Sequence, residues 1–316
     1  MTTQSRFRRF FSASLALWAA ASVSVSASVS SAADAPDATH DGRSSVYGNL
    51  SNGSLEAVST PKQILSLVQA PDSAAPTALW TMLEHGERTE CLDCIPYVSK
   101  MLYASNAKTR EISAWWLRRR IFGVFGKGEA YEQTVNAVSD QSKSAQSRAY
   151  AANALGEFLE GAGIQPVSDA LVKDSSPIVR LAAANALIRL NNQGPNGELS
   201  TALADQDVDV KLAALNGVTH INVFSNVDRV AVLISDSSAA VRRRAAQTLG
   251  TLHSADAVVP LIALTTPSEP DAGVRAAAVW ALGQIGDSQA KDAVMAAQND
   301  SDSSVHDAAN IALRRL

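Results

Sequence analysis

The stretch Asp236 to Gly250, DSSAAVRRRAAQTLG, recurs in altered form along most of the 316-residue chain at nearly constant spacing. With Arg242 as reference, the equivalent positions are Arg110, Arg148, Arg180, Lys211, Arg275 and His306, each 31 to 38 residues from the next. A period of that size marks a supersecondary unit too small to bury its own apolar face. Copies must therefore stack on one another.

The columns around the reference define the unit. Four residues before it stand Asn106, Ser144, Ser176, Asp207, Ser238, Asp271 and Asp302, all able to accept from the free N–H groups of a helix start. Pro177 follows Ser176 at the first helical position, where no N–H is needed. Three residues after the reference come Ser113, Ala151, Ala183, Ala214, Ala245, Ala278 and Ala309. Seven after it come Leu117, Leu155, Leu187, Val218, Leu249, Leu282 and Leu313. Offsets of three, seven and ten share one helical face, and small residues beside large ones let helices pack closely. At offset ten the apolar column is broken only by Arg120. Shorter apolar patterns between these helices, such as Val230-Leu233-Ile234, supply a second helix, so each copy is a helical pair.

The pattern D-S-S-x-x-V-R-x-x-A-A-x-x-L-G, with variants at Asp174, Asp205 and Asp300, resembles the HEAT-repeat superfamily in its short form known from phycobilisome-lyase-type proteins. The resemblance covers roughly Glu90 to Leu316 and implies an all-α, right-handed α-solenoid of about seven repeats. It further implies that Asp174, Asp205, Asp236, Glu269 and Asp300, each six residues before a reference position, tie adjacent repeats together with the basic column. It implies little about chemistry, because the family spans many scaffolds and a few enzymes. One such enzyme, the iron-dependent deoxyhypusine hydroxylase, carries His-Glu pairs, and this chain has no His-Glu dipeptide. Lyase activity would rest on resemblance alone.

The N-terminus reads differently. Arg6, Arg8 and Arg9 precede an apolar run and the small residues Ser31-Ala32-Ala33, the layout of a signal peptide over residues 1–33. Residues 34–60, rich in Ser, Asp, Ala and Gly, suit a flexible leader. Residues 61–89 read as an N-terminal helical cap, and 90–316 as the solenoid. Cleavage would move the net charge from −4 to −7, since residues 1–33 hold three cations and no anion. An acidic product is a poor binder of phosphate backbones, so nucleic acid is not an expected partner. No later stretch could span a membrane, which leaves a periplasmic or secreted protein as the expectation.

Cys91 and Cys94 are the only cysteines. In an exported chain a local disulfide is the plain reading. A redox pair needs a lowered thiolate pKa, and a metal site needs more ligands, of which His85 and Glu90 are nearest. No cofactor and no metal are expected. Gly126-Lys127-Gly128 lacks the features of a phosphate-binding loop and reads as a turn. In Trp115-Trp116-Leu117-Arg118-Arg119-Arg120, Trp116 and Leu117 fall in core columns, while Trp115 and Arg118 point the other way.

Five residues after the reference come Trp115, Asn153, Asn185, Asn216, Gln247, Trp280 and Ile311. In solenoids this position faces the concave groove. A carboxamide both donates and accepts, which suits an extended backbone, and armadillo repeats use an Asn column in this way. Together with Arg118 and Arg243, these residues predict a non-catalytic scaffold that binds another protein or an extended segment of one. The alternative is a thiol/disulfide protein using Cys91 and Cys94.

Overall fold

The computed structural model describes residues 60–71, 74–120, 122–123, 126–190, 196–220 and 224–316. The expectation for residues 1–33, and that for 34–59, lie outside the described residues. Sixteen α-helices among the described residues form eight pairs. They are α1 (Pro61–Gln69) with α2 (Pro76–His85), α3 (Ile95–Met101) with α4 (Ala107–Arg118), and α5 (Glu129–Ser139) with α6 (Ala145–Phe158). Then come α7 (Ile164–Lys173) with α8 (Pro177–Leu190), α9 (Asn196–Leu203) with α10 (Val208–Val218), and α11 (Val227–Val232) with α12 (Ala239–Thr251). The last are α13 (Val258–Leu264) with α14 (Ala272–Ile285), and α15 (Lys291–Ala297) with α16 (Ser303–Ala312).

A two-stranded antiparallel ribbon links α4 to α5. In it β1 (Phe122–Gly123) pairs with β2 (Gly126–Lys127), Phe122 opposite Lys127. The expected turn at Gly126-Lys127-Gly128 is therefore a strand followed by the N-cap of α5 at Gly128.

The capping column starts the even-numbered helices. Side chains of Asn106, Ser144, Asp207, Asp271 and Asp302 accept from first-turn N–H groups. Ser238 departs from the expectation. It occupies the N-cap of α12 but makes no side-chain cap bond, and its own N–H donates to Asp236 Oδ1 at 2.8 Å.

Even-numbered helices stack in one row and odd-numbered helices in another. The alanine column lies between the two: Ser113, Ala151, Ala183, Ala214, Ala245, Ala278 and Ala309 are all fully buried. The leucine column beside it is buried from Leu117 to Leu282, and Leu313 in the last helix is half-buried. The even row is the tighter one. A Cβ on Gly156, Gly250 or Gly283 would fall within 2.8, 2.7 or 2.7 Å of the Cα of Ala186, Ala281 or Ala312 on the next helix. The same column holds Arg118, Ile188 and Thr219 in the other repeats, and there the helices stand farther apart. A stack whose even helices approach more closely than its odd ones curves toward the even row, so that row is the inner, concave one.

A ladder of ion pairs runs along one edge of the stack. Arg148 donates through Nε and Nη2 to Asp174 at 2.7 and 2.9 Å. The same two-bond geometry joins Arg180 to Asp205, Arg242 to Glu269 and Arg275 to Asp300. Lys211 reaches Asp236 with one bond. Each acid belongs to the repeat after its cation, 25 to 27 residues on. Each also accepts the backbone N–H two residues further along: Ser176, Asp207, Ser238, Asp271 and Asp302. Arg180, Arg242 and Arg275 use their remaining nitrogen on carbonyls of their own repeat. Bidentate, charge-assisted bonds of this kind fix orientation as well as distance.

The two ends of the ladder differ. Arg110 meets no acid among the described residues; it donates to the carbonyls of Ala104 and Ser105 and lies 3.9 Å over the Tyr150 ring. His306, in the last repeat, contacts Asp307 and Asn310 on its own helix.

Candidate partner-binding face

The residues singled out in the sequence fall on the inner row. Asn153, Asn185 and Asn216 are exposed, and Gln247, Trp115, Trp280 and Arg118 are half-buried. Arg243 is exposed one turn before Gln247. Five residues past the reference, each side chain projects from the side of its helix opposite the buried columns, so these groups share one face. The carboxamides of Asn153 and Asn185 make no hydrogen bond among the described residues.

Asn216 differs from them. Its Oδ1 accepts from Arg244 Nη2 of the next repeat at 2.8 Å. Part of the carboxamide column is thus committed within the fold. The signal was present in the sequence: Arg244 stands two residues past the reference, where the other repeats carry Ile112, Tyr150, Ala182, Ala213, Ala277 and Ala308.

Trp280 lies back over α12. Its Cζ3 would be 2.9 Å from a Cβ on Gly250, so the missing side chain makes the slot that the indole fills. Trp280 is half-buried, as is Gln247 at the same position of the preceding inner helix. Arg243 extends the other way, with its Cδ and Nη1 each 3.5 Å from where a Cβ on Gly273 would sit, at the start of α14.

At the other end of the row, Trp115 packs partly against the core and Trp116 is wholly buried, with Nε1 donating to the Gly86 carbonyl at 3.3 Å. Arg120, the break in the apolar column, stacks 3.7 Å from the Trp116 ring and donates to the carbonyls of Gly86 and Thr89 at 3.0 and 2.9 Å. It thereby satisfies carbonyls just past the C-terminus of α2, an end that carries partial negative charge. Burial, with Arg119 alongside, pushes its pKa down to about 10. Glu157 and Arg189 pair across α6 and α8 at 2.6 Å. Burial pushes the Glu157 carboxyl up despite that partner.

Cys91 and Cys94 form a disulfide at the start of α3. Residue exposures of 5% and 0% put the sulfurs beneath the surface, against the carbonyl of Pro61. The bond closes a local loop at the start of α3, and its sulfurs pack against the first residue of α1. Among the described residues no group of three or more His, Cys, Asp or Glu side chains could hold a metal ion. No described helix is long and apolar enough to cross a membrane.

The fold is an α-solenoid of stacked helical pairs. Residues 226–314 match the family model of HEAT repeats. No curated protein matches the sequence. Among solved structures the chain is similar to YibA of E. coli, with a TM-score of 0.55 and 17% identity over 81% of this chain and 96% of that one. It is also similar to importin beta, with a TM-score of 0.54 and 14% identity over 81% of this chain and 46% of that one. A structure of Kap95p with RanGDP gives 0.56 and 13% over 80% and 39%. At these identities the likeness is one of fold.

Proposed function

We propose that the protein is a non-catalytic scaffold that holds an extended segment of another protein along its inner row. One observation carries this reading: Asn153 and Asn185 present unengaged carboxamides on a single continuous face bounded by Trp115 and Trp280. Six steps of roughly 9 Å between packed helices give a track of about 54 Å. An extended chain rising about 3.3 Å per residue would place about 15 residues there. The likeness to a Kap95p structure containing RanGDP agrees with a protein-binding role. The N-terminal pattern of residues 1–33 supports the reading that the scaffold is exported and acts in the periplasm or outside the cell.

The test compares capture of partners by the full chain, by Asn153→Ala/Asn185→Ala, and by an outer-row control, Glu132→Ala/Asp228→Ala. The inner-row pair should lose its partners with helicity unchanged, and the control should keep them. Equal capture by all three would sink the reading. Mass analysis of the exported chain should show a start at Asp34.

A further inference from the structure

The inner face also carries a charge pattern that specifies its partner. Most described arginines are neutralised or otherwise engaged. Four belong to the ladder, Arg189 meets Glu157, and Arg119 meets Glu87 at 3.0 Å. Arg110 and Arg120 are engaged by backbone carbonyls and aromatic rings. Of those with no carboxylate within ion-pair distance among the described residues, Arg118, Arg243, Arg244, Arg314 and Arg315 belong to the inner row or the turn that ends it. Arg229 alone belongs to an outer helix.

The exposed acids sort the other way. Glu132, Asp228, Asp256 and Asp292 lie on the outer helices or the turns leading into them, exposed and without a basic partner among the described residues. On the inner row Glu84, Glu111 and Asp307 stand on its first, second and last helices. Between the last two, Glu157 of α6 is paired with Arg189, α8, α12 and α14 contain no acid, and the one acid of α10, Asp209, sits at the rim in its first turn. Exposed lysines stand on both rows, Lys62, Lys100 and Lys291 on outer helices and Lys108 on α4. The asymmetry is local: along α12 and α14, Arg243 and Arg244 stand on the concave side of helices that hold no acid.

We infer that the segment held there is acidic, a deepening that rests on the scaffold reading above. Its carboxylates would meet Arg243 and Arg244, which project from adjacent positions on α12. Arg244 is pre-set by its bond to Asn216 and keeps further N–H donors for a carboxylate. Gln247 would bond the segment's backbone, and Trp280 would take an apolar or planar side chain on its exposed part. Such a surface also repels a basic segment, so the charge adds selectivity as well as attraction.

The test titrates the full chain with labelled peptides of about 15 residues alternating Ser with Glu, with Gln or with Lys, and with an oligo-dT strand of similar length. The Glu peptide should bind at least about tenfold tighter than the Gln peptide. It should weaken as salt rises past about 0.15 M, where the screening length falls to about 8 Å. Trp280 emission should change on binding. Arg243→Ala/Arg244→Ala should lose about tenfold, a difference of about 1.4 kcal/mol, while Arg229→Ala should lose none. Equal or tighter binding of the Gln or Lys peptide would overturn the acidic assignment and leave the scaffold reading standing. Tighter binding of the oligonucleotide would also overturn the acidic assignment. Absence of binding by every probe would overturn both.

Discussion

Arg148 and Asp174 face each other across a repeat boundary with two charge-assisted bonds, of 2.7 and 2.9 Å, and both side chains are almost wholly buried. Asp174 also accepts the Ser176 N–H and a bond from Gln141. Removing one partner strands a buried charge, which costs about 3–5 kcal/mol, whereas replacing both by apolar groups of similar volume is often near neutral. Arg148→Met alone should therefore lower the denaturation midpoint sharply, and Arg148→Met/Asp174→Leu should recover much of the loss. Urea titration of the two variants checks this, and a double variant no better than the single one would contradict it.

All five ladder carboxyls lie below the ordinary carboxylate range. For Asp174, Asp205 and Asp236 burial pushes upward, and the bonds from Arg148, Arg180, Lys211 and the backbone outweigh it. For Glu269 and Asp300 the arginine bonds dominate outright. A carboxyl lowered in the folded state contributes stability that is present above its unfolded pKa of about 4 and lost as pH falls through the folded value. Stability should hold from neutral pH down to about 5 and then fall steeply. Proton uptake on unfolding should rise toward about five, and Asp174→Asn should flatten the slope. Denaturation at successive pH values measures both.

Leu159 closes α6 in the left-handed region at φ 57°, while Gly286 closes α14 at φ 75° in the corresponding place. The left-handed conformation costs a residue with a Cβ about 1–2 kcal/mol, and glycine is exempt. Leu159 is 48% exposed, so little packing would be lost with its side chain. Leu159→Gly should stabilise by about 1 kcal/mol and Gly286→Ala should destabilise by a similar amount. Thermal melts of the two variants should move in opposite directions.

The Cys91–Cys94 bond is buried, so a macromolecular or small thiol should reach it only when the N-terminal pairs open. Reduction of the native protein should run far slower than reduction in denaturant. Cys91→Ser/Cys94→Ser should cost about 2 kcal/mol, the amount expected for so short a loop. Fast native-state reduction, with a reactive thiolate afterwards, would instead favour a redox role.

Much of the architecture was legible because each column repeats one physical demand. The alanine column at offset three predicts full burial, and every member from Ser113 to Ala309 is buried. The pairing of Asp174, Asp205 and Asp236 was legible as to residue type but not as to direction. Every repeat carries both an acid and a base, so pairing within a repeat and pairing between repeats leave the same periodic trace. Arg120 and Asn216 show a second limit. Each is engaged by groups from a neighbouring repeat, the carbonyls past α2 and the guanidinium of Arg244, and a column read one position at a time does not display such a bond. Trp280 was placed on the correct face, but its rest against Gly250 depends on the contact between two helices.

The glycine column has a mechanical consequence. Where Gly156, Gly250 and Gly283 let backbones touch, neighbouring helices are locked by short-range repulsion on one side and dispersion on the other, and that contact is stiff. Where Ile188 and Thr219 stand instead, the helices are spaced by side chains that can change rotamer. The stack thus holds two closely packed segments, α6–α8 and α12–α16, with wider-spaced steps at α4–α6 and on either side of α10. Under tension it would give at those steps first, as a chain gives at its looser links.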